Sequence, residues 1–188
     1  MSRIGNKFAC VAFGIAAFLI AFTLGTALTA GTGIPLLGGL LNGILVSMVL
    51  TIGLVSINKF GTSTIMWLVL GVCAIPTTTL GPQGVYKVVI ALIAGAIWDS
   101  IYFGFNRKRF FLYFGALVAA LAIMGLLIAV LSFGFGHNAA DALAKYKQAL
   151  LFIIAINVVV TLSGVSLGDY LYRKRLKNLS LFKNLQSD

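Results

Sequence analysis

The sequence predicts an all-α polytopic membrane protein, a bundle of six transmembrane helices, and three observations carry that prediction. Of 188 residues, 60% are hydrophobic and only 10% are charged, against about 25% charged in an ordinary soluble domain. Mean hydropathy is +1.05. The apolar residues lie in continuous runs of the roughly 20 residues that a helix needs to cross a bilayer. They do not alternate over about ten residues, as barrel strands do. A water-soluble domain and a disordered chain are excluded.

The runs are taken in order as one transmembrane domain. The first, 8–28, follows Arg3 and Lys7. It exceeds the roughly 7–15 apolar residues of a signal peptide and no A-x-A site follows, so it reads as a membrane helix. The others are 36–57, 62–80 (shortened or broken near Pro76), 84–105, 110–135 and 149–172, with a basic tail over 173–188.

Charge fixes the expected orientation. There are 14 Lys and Arg against 4 acids, all Asp, for a net charge of +10. In a soluble protein this would suggest nucleic acid. Here the basic residues flank apolar runs, the pattern that orients membrane proteins, and no nucleic-acid partner is expected. Arg3, Lys7, Lys59, the run Arg107-Lys108-Arg109 and the tail alternate with uncharged loops. A multi-pass protein of the cell membrane, with both termini cytoplasmic, satisfies this alternation. Lys87, Lys145 and Lys147 then face outward.

The outer loops at 29–35 and 76–83 are short, uncharged and rich in Gly, Pro and Thr. They suit hydrogen bonding to a small solute, and they equally suit plain turns. The fifth loop, 134–147, holds the single histidine, His137, and an amphipathic stretch over 138–147 that is either a lid or an interfacial helix. His137 reads as a solvated loop residue. No catalytic motif is visible, and the chain has no Glu. Cys10 and Cys73 lie in different apolar runs without metal-ligand spacing. No enzyme activity, metal or cofactor is expected.

Ionisable residues inside membrane spans mark functional sites by default, and Lys87, Asp99 and Asp169 qualify. Lys87, Ala91, Ala94, Trp98 and Tyr102 lie on one helix face, each within about 60° of Lys87. That face reads as one wall of a solute pocket, or as a snorkelling lysine above an aromatic belt. Asp99 before Arg107 and Asp169 before Arg173 read as structural ion pairs in preference to a proton relay. Asn157, Thr161, Gly164 and Gly168 form a polar, small-residue stripe, and Gly39 and Gly43 flank Asn42. Both suit helix–helix glue, and Asn157 also suits a solute.

The first helix carries Ala12-Phe-Gly-Ile-Ala16 and Ala17-Phe-Leu-Ile-Ala21, and the fourth ends Gly95-Ala-Ile-Trp-Asp99 after a Gly/Pro loop. With the size and six spans, this resembles the S components of energy-coupling factor transporters, the substrate-binding membrane subunits for vitamins and related micronutrients. The resemblance implies a transmembrane T component as partner, met through Ala12, Ala16, Ala17 and Ala21, and two ATP-binding subunits. It also implies solute capture from outside and inward transport by toppling of the subunit. The acid usual near the outer side of helices four to six is absent here, so no particular solute is implied. A non-transport scaffold or assembly subunit, and a small channel or proton-coupled carrier, are the competing classes.

The expected solute site lies in the outer half of the membrane, lined by Thr77, Thr78, Gln83, Lys87, Trp98 and Asn157. Trp98 would offer a flat surface to a ring. Lys87, the only charge nearby, suits a neutral or anionic solute. The topology has its own test: a cysteine introduced at Lys108 escapes a membrane-impermeant thiol reagent added outside intact cells, and labelling there overturns the orientation.

Overall fold

The computed structural model describes residues 3–32, 35–77, 83–134, 147–179 and 182. Six helices account for them: α1 (Arg3–Thr32), α2 (Pro35–Ile57), α3 (Thr62–Ala74), α4 (Tyr86–Gly104), α5 (Arg109–Gly134) and α6 (Lys147–Leu171). A single π-helical turn, Tyr172–Leu176, extends α6. No strand occurs among the described residues. Five of the helices are long and apolar enough to cross a membrane, and the chain is a polytopic helical membrane protein. The lid or interfacial helix expected in the fifth loop, His137, and the solute contact expected of Thr78 lie outside the described residues.

Helix boundaries follow local chemistry. Pro35 opens α2, where a missing N–H is harmless. The α2–α3 link turns through two left-handed residues, Asn58 at φ 51° and Gly61 at φ 90°. The α4–α5 link does the same at Asn106 (φ 56°) and Arg107 (φ 58°). The third apolar run, for which a shortening or break near Pro76 is expected, forms α3, which stops at Ala74 after 13 residues. Pro76 explains the stop, because it has no N–H to continue the ladder and its ring collides with the preceding turn. At 1.5 Å per residue α3 is only about 20 Å long.

The helices form a closed circuit of neighbours, α1–α2–α6–α5–α4–α3 and back to α1, with α2 also touching α3. Lipid tails are as apolar as leucine, so this association rests on close packing. Glycines mark the closest approaches. A methyl group on Gly95 of α4 would lie 2.6 Å from Thr64 Cα, and one on Gly71 of α3 would lie 2.7 Å from Ala91 Cβ. Gly164 and Gly168 press α6 onto the α2 backbone, where a Gly168 methyl would come within 2.7 Å of Met48 O. This uses part of the α6 stripe as helix glue.

Helix α1 divides its alanines between two faces. Ala17 and Ala21 are buried in the bundle, and Asn42 Nδ2 of α2 donates to Ala21 O at 2.8 Å. They are therefore not available as a surface for another subunit. Ala16 is half-buried and Ala12 is exposed. The exposed side of α1 also carries Phe8, Val11, Ile15 and Leu19.

The glycine seam between α3 and α4 can be tested directly. Gly95→Val is expected to lower stability by about 1–3 kcal/mol, the range for overpacking, because both obstacles, Thr64 Cα and Ser63 O, are backbone atoms. Gly104→Ala, with open space around the added methyl, leaves stability unchanged or slightly higher. Thermal unfolding in detergent reads both, and equal melting temperatures would show that the seam tolerates a wider spacing.

Candidate functional site

The short helix α3 poses a problem that α4 solves. A helix end leaves four N–H or four C=O groups without intrahelical partners. The N-cap of α3 is Gly61, which has no side chain to offer. Asp99 of α4 supplies the cap from elsewhere in the fold. Its Oδ1 accepts from Ser63 N at 3.1 Å, and its Oδ2 accepts from Thr64 N at 2.8 Å and Thr64 Oγ1 at 2.6 Å. At the other end, Lys87 Nζ donates to Ala74 O at 3.0 Å and also to Thr77 O. Lys87 and Asp99 are both fully buried. The anion thus sits at the positive end of the α3 dipole and the cation at its negative end.

The ion pair expected between Asp99 and Arg107 does not form. Arg107 instead lies 5.0 Å over the Phe103 ring, carried there by the left-handed turn that begins at Asn106. Asp169 does pair with Arg173, at 2.7 Å. It also takes Arg109 Nε at 2.7 Å and the Tyr113 hydroxyl at 3.3 Å. The buried Asp169 carboxylate therefore ties α5 to α6.

The face Lys87, Ala91, Ala94, Trp98 and Tyr102 is one face, as its spacing requires, but every member is buried inside the bundle. It packs against α3 and α5 and does not stand open as a pocket wall. Trp98 Nε1 donates to Leu112 O of α5 at 3.0 Å. Gly115 makes room for the indole, since a methyl there would lie 2.8 Å from Trp98 Cδ1. The ring is thus used in packing α4 onto α5.

Among the residues expected to bind solute, the structure brings together Thr77, Gln83 and Lys87. Thr77 Oγ1 donates to Ala74 O at 3.0 Å, the carbonyl that Lys87 also uses, and Gln83 Nε2 donates to Pro76 O at 2.9 Å. Trp98 is eleven residues below Lys87, about 16 Å along α4, and does not join them. Asn157 is half-buried and accepts from Thr161 Oγ1 of its own helix at 3.2 Å, so it too stands apart. No family model matches the chain, and neither a curated protein nor a solved structure does.

Two features escaped the sequence. One is the role of Asp99, because a glycine N-cap gives no hint that a distant carboxylate completes it. The other is Asn6, buried on α1 with neither polar atom of its amide meeting a protein partner. An asparagine in the first turn of a helix behind Arg3 carries no pattern that marks it as buried.

Removing the Asp99 cap has a definite expected result. Asp99→Ala strands two backbone N–H groups and a hydroxyl and is expected to cost about 2–4 kcal/mol, given about 1–3 kcal/mol for each buried polar group left unpaired. Asp99→Asn keeps an acceptor and loses about half as much. Denaturation in detergent checks the order, and an alanine variant as stable as the wild type would remove the cap from its central place.

Proposed function

We propose that the chain is the substrate-binding membrane subunit of a micronutrient uptake transporter, taking a vitamin or vitamin precursor and energised by partner ATP-binding subunits. The observation that supports this reading best is Lys87. It is the one buried cation among the described residues, it is fully buried, and none of the described carboxylates pairs with it. Two of its three N–H donors go to neutral carbonyls at Ala74 and Thr77. An anionic group on a solute would supply the missing counter-charge. Thr77 and Gln83 stand at the same end, where Thr77 Oγ1 shares the Ala74 carbonyl with Lys87 and Gln83 Nε2 donates to Pro76 O.

In this reading the end where α3 stops faces outward and both termini are cytoplasmic. Solute reaches the α3–α4 end between Thr77 and Lys87. The transmembrane T component docks on the exposed side of α1, around Ala12 and Ala16. A non-transport scaffold subunit is the second reading. It is favoured by one observation: Asp99, Asp169 and Trp98 all spend their polar groups on holding this bundle together.

Native mass spectrometry of the protein extracted from its host membranes separates the two readings. The transporter reading expects a discrete small-molecule adduct. A charge-assisted hydrogen bond contributes about 1.5–3 kcal/mol, so Lys87→Met is expected to weaken its retention by roughly 10- to 150-fold, with melting temperature measured alongside to separate binding from folding. Wild type without any adduct favours the scaffold, and an adduct held equally by wild type and Lys87→Met moves the site away from Lys87.

A further inference from the structure

The opposite end of the bundle carries a second arrangement that solute binding at Lys87 does not use. Two links meet there. Phe60 of the α2–α3 link packs edge-on against Phe103 of α4, with ring centroids 5.9 Å apart and planes at 75°. The Arg107 guanidinium lies over that same Phe103 ring at 5.0 Å. The turn that carries Arg107 is held by its backbone N–H, which donates to Tyr102 O at 2.9 Å. The guanidinium is thus positioned by a ring and a turn, with no carboxylate beside it among the described residues.

Both links carry further cations. Lys59 adjoins Phe60, and Lys108 follows Arg107. The two carboxylates among the described residues, Asp99 and Asp169, are both buried, and Asp169 is occupied by Arg109 and Arg173. No exposed carboxylate among the described residues competes for Arg107. Phe60 is 70% exposed and Phe105 is 53% exposed. In a membrane protein, Lys and Arg flanking a span lie at the headgroup level with their charge toward phosphate, and apolar Phe rings beside them face the acyl chains.

We infer that Lys59, Arg107 and Lys108, on the platform of Phe60 and Phe103, form a binding site for the phosphate of an anionic phospholipid headgroup. A planar guanidinium offers phosphate two parallel N–H donors. Lys59, next to Phe60 in the chain, and Lys108, next to Arg107, add positive charge on the two links, and Phe60 and Phe105 meet the upper acyl chain. The site also straps the α2–α3 link to the α4–α5 link, so an occupied site stabilises the same end of the bundle where Asp99 caps α3.

The test is native mass spectrometry of the full chain in detergent, titrated with phosphatidylglycerol or with phosphatidylcholine of the same acyl chains. Phosphatidylglycerol is expected to bind at least about tenfold better. Arg107→Asn removes the guanidinium while keeping a residue that accepts the left-handed turn, and is expected to abolish most of that preference without changing the melting temperature. Arg107→Lys keeps the charge without the two-pronged geometry and falls between the two. Lys59→Gln, on the other link, lowers the preference in the same direction and serves if the first variant fails to fold. Equal retention of the two lipids, or an unchanged preference in both Arg107→Asn and Lys59→Gln, overturns the site. Displacement of phosphatidylglycerol by millimolar inorganic phosphate would assign the same donors to a free phosphate group and overturn the lipid.

Discussion

The bundle depends on the way α4 holds α3 at both ends. Helix α3 is about 20 Å long, short of the roughly 30 Å hydrocarbon core. At least one of its ends must therefore lie where water cannot satisfy the open backbone groups, each of which costs several kcal/mol in lipid. Lys87 and Asp99 are twelve residues apart on α4, about 18 Å, which matches the length of α3. An antiparallel α4 thus brings one charge to each end. Neither charge neutralises the other across that distance. Each is compensated locally, Asp99 by N–H donors and Lys87 by carbonyl acceptors.

With α3 fixed on α4, the circuit closes through close-packed seams. The Gly71–Ala91 and Gly95–Thr64 approaches set the α3–α4 spacing. The same distance brings Asp99 within 2.8 Å of Thr64 N, so glycine packing and the cap enforce each other: a wider seam would break the cap, and a broken cap would release the seam. Between α5 and α6 the fastening is ionic, through Asp169, Arg109 and Arg173. Both arginines are more than half exposed while Asp169 is buried, so the guanidiniums keep much of their hydration and only the carboxylate bears the desolvation cost, which its three donors offset.

The helical class was legible because a run of about 20 apolar residues has few other uses, and five of the six helices meet that length. The spacing also put Lys87, Ala91, Ala94, Trp98 and Tyr102 on one face, as found. It could not say what the face meets. A row of small residues between a cation and aromatics reads the same whether it lines a pocket or receives a neighbouring helix. The deciding fact was the length of α3, which follows from Pro76. The partner of Asp99 was hidden for a related reason. Spacing along one helix points to Arg107, eight residues on, whereas the groups that need an acceptor belong to Ser63 and Thr64 on another helix. A glycine N-cap followed by a short helix, and then by a helix whose Lys and Asp are separated by that same length, is the pattern that would have revealed it.

A polar residue inside a membrane span is functional by default only until its hydrogen bonds are counted. Asp99 has three donors, Asp169 has two arginines and a tyrosine, and Trp98 has its single acceptor. Each is accounted for by the fold. Lys87 is accounted for in part: its carbonyl partners carry only partial charge, and its third donor has no acceptor among the described residues. It also lies next to a polar link, where Thr77 and Gln83 already face the same end. Asp99 has no such freedom, since it is fully buried and both of its oxygens are taken by donors on α3. A structural role and a binding role are therefore compatible at Lys87. A cation held at the end of a short helix by two carbonyls is already oriented, so a solute anion arriving there would gain its charge without having to order the side chain.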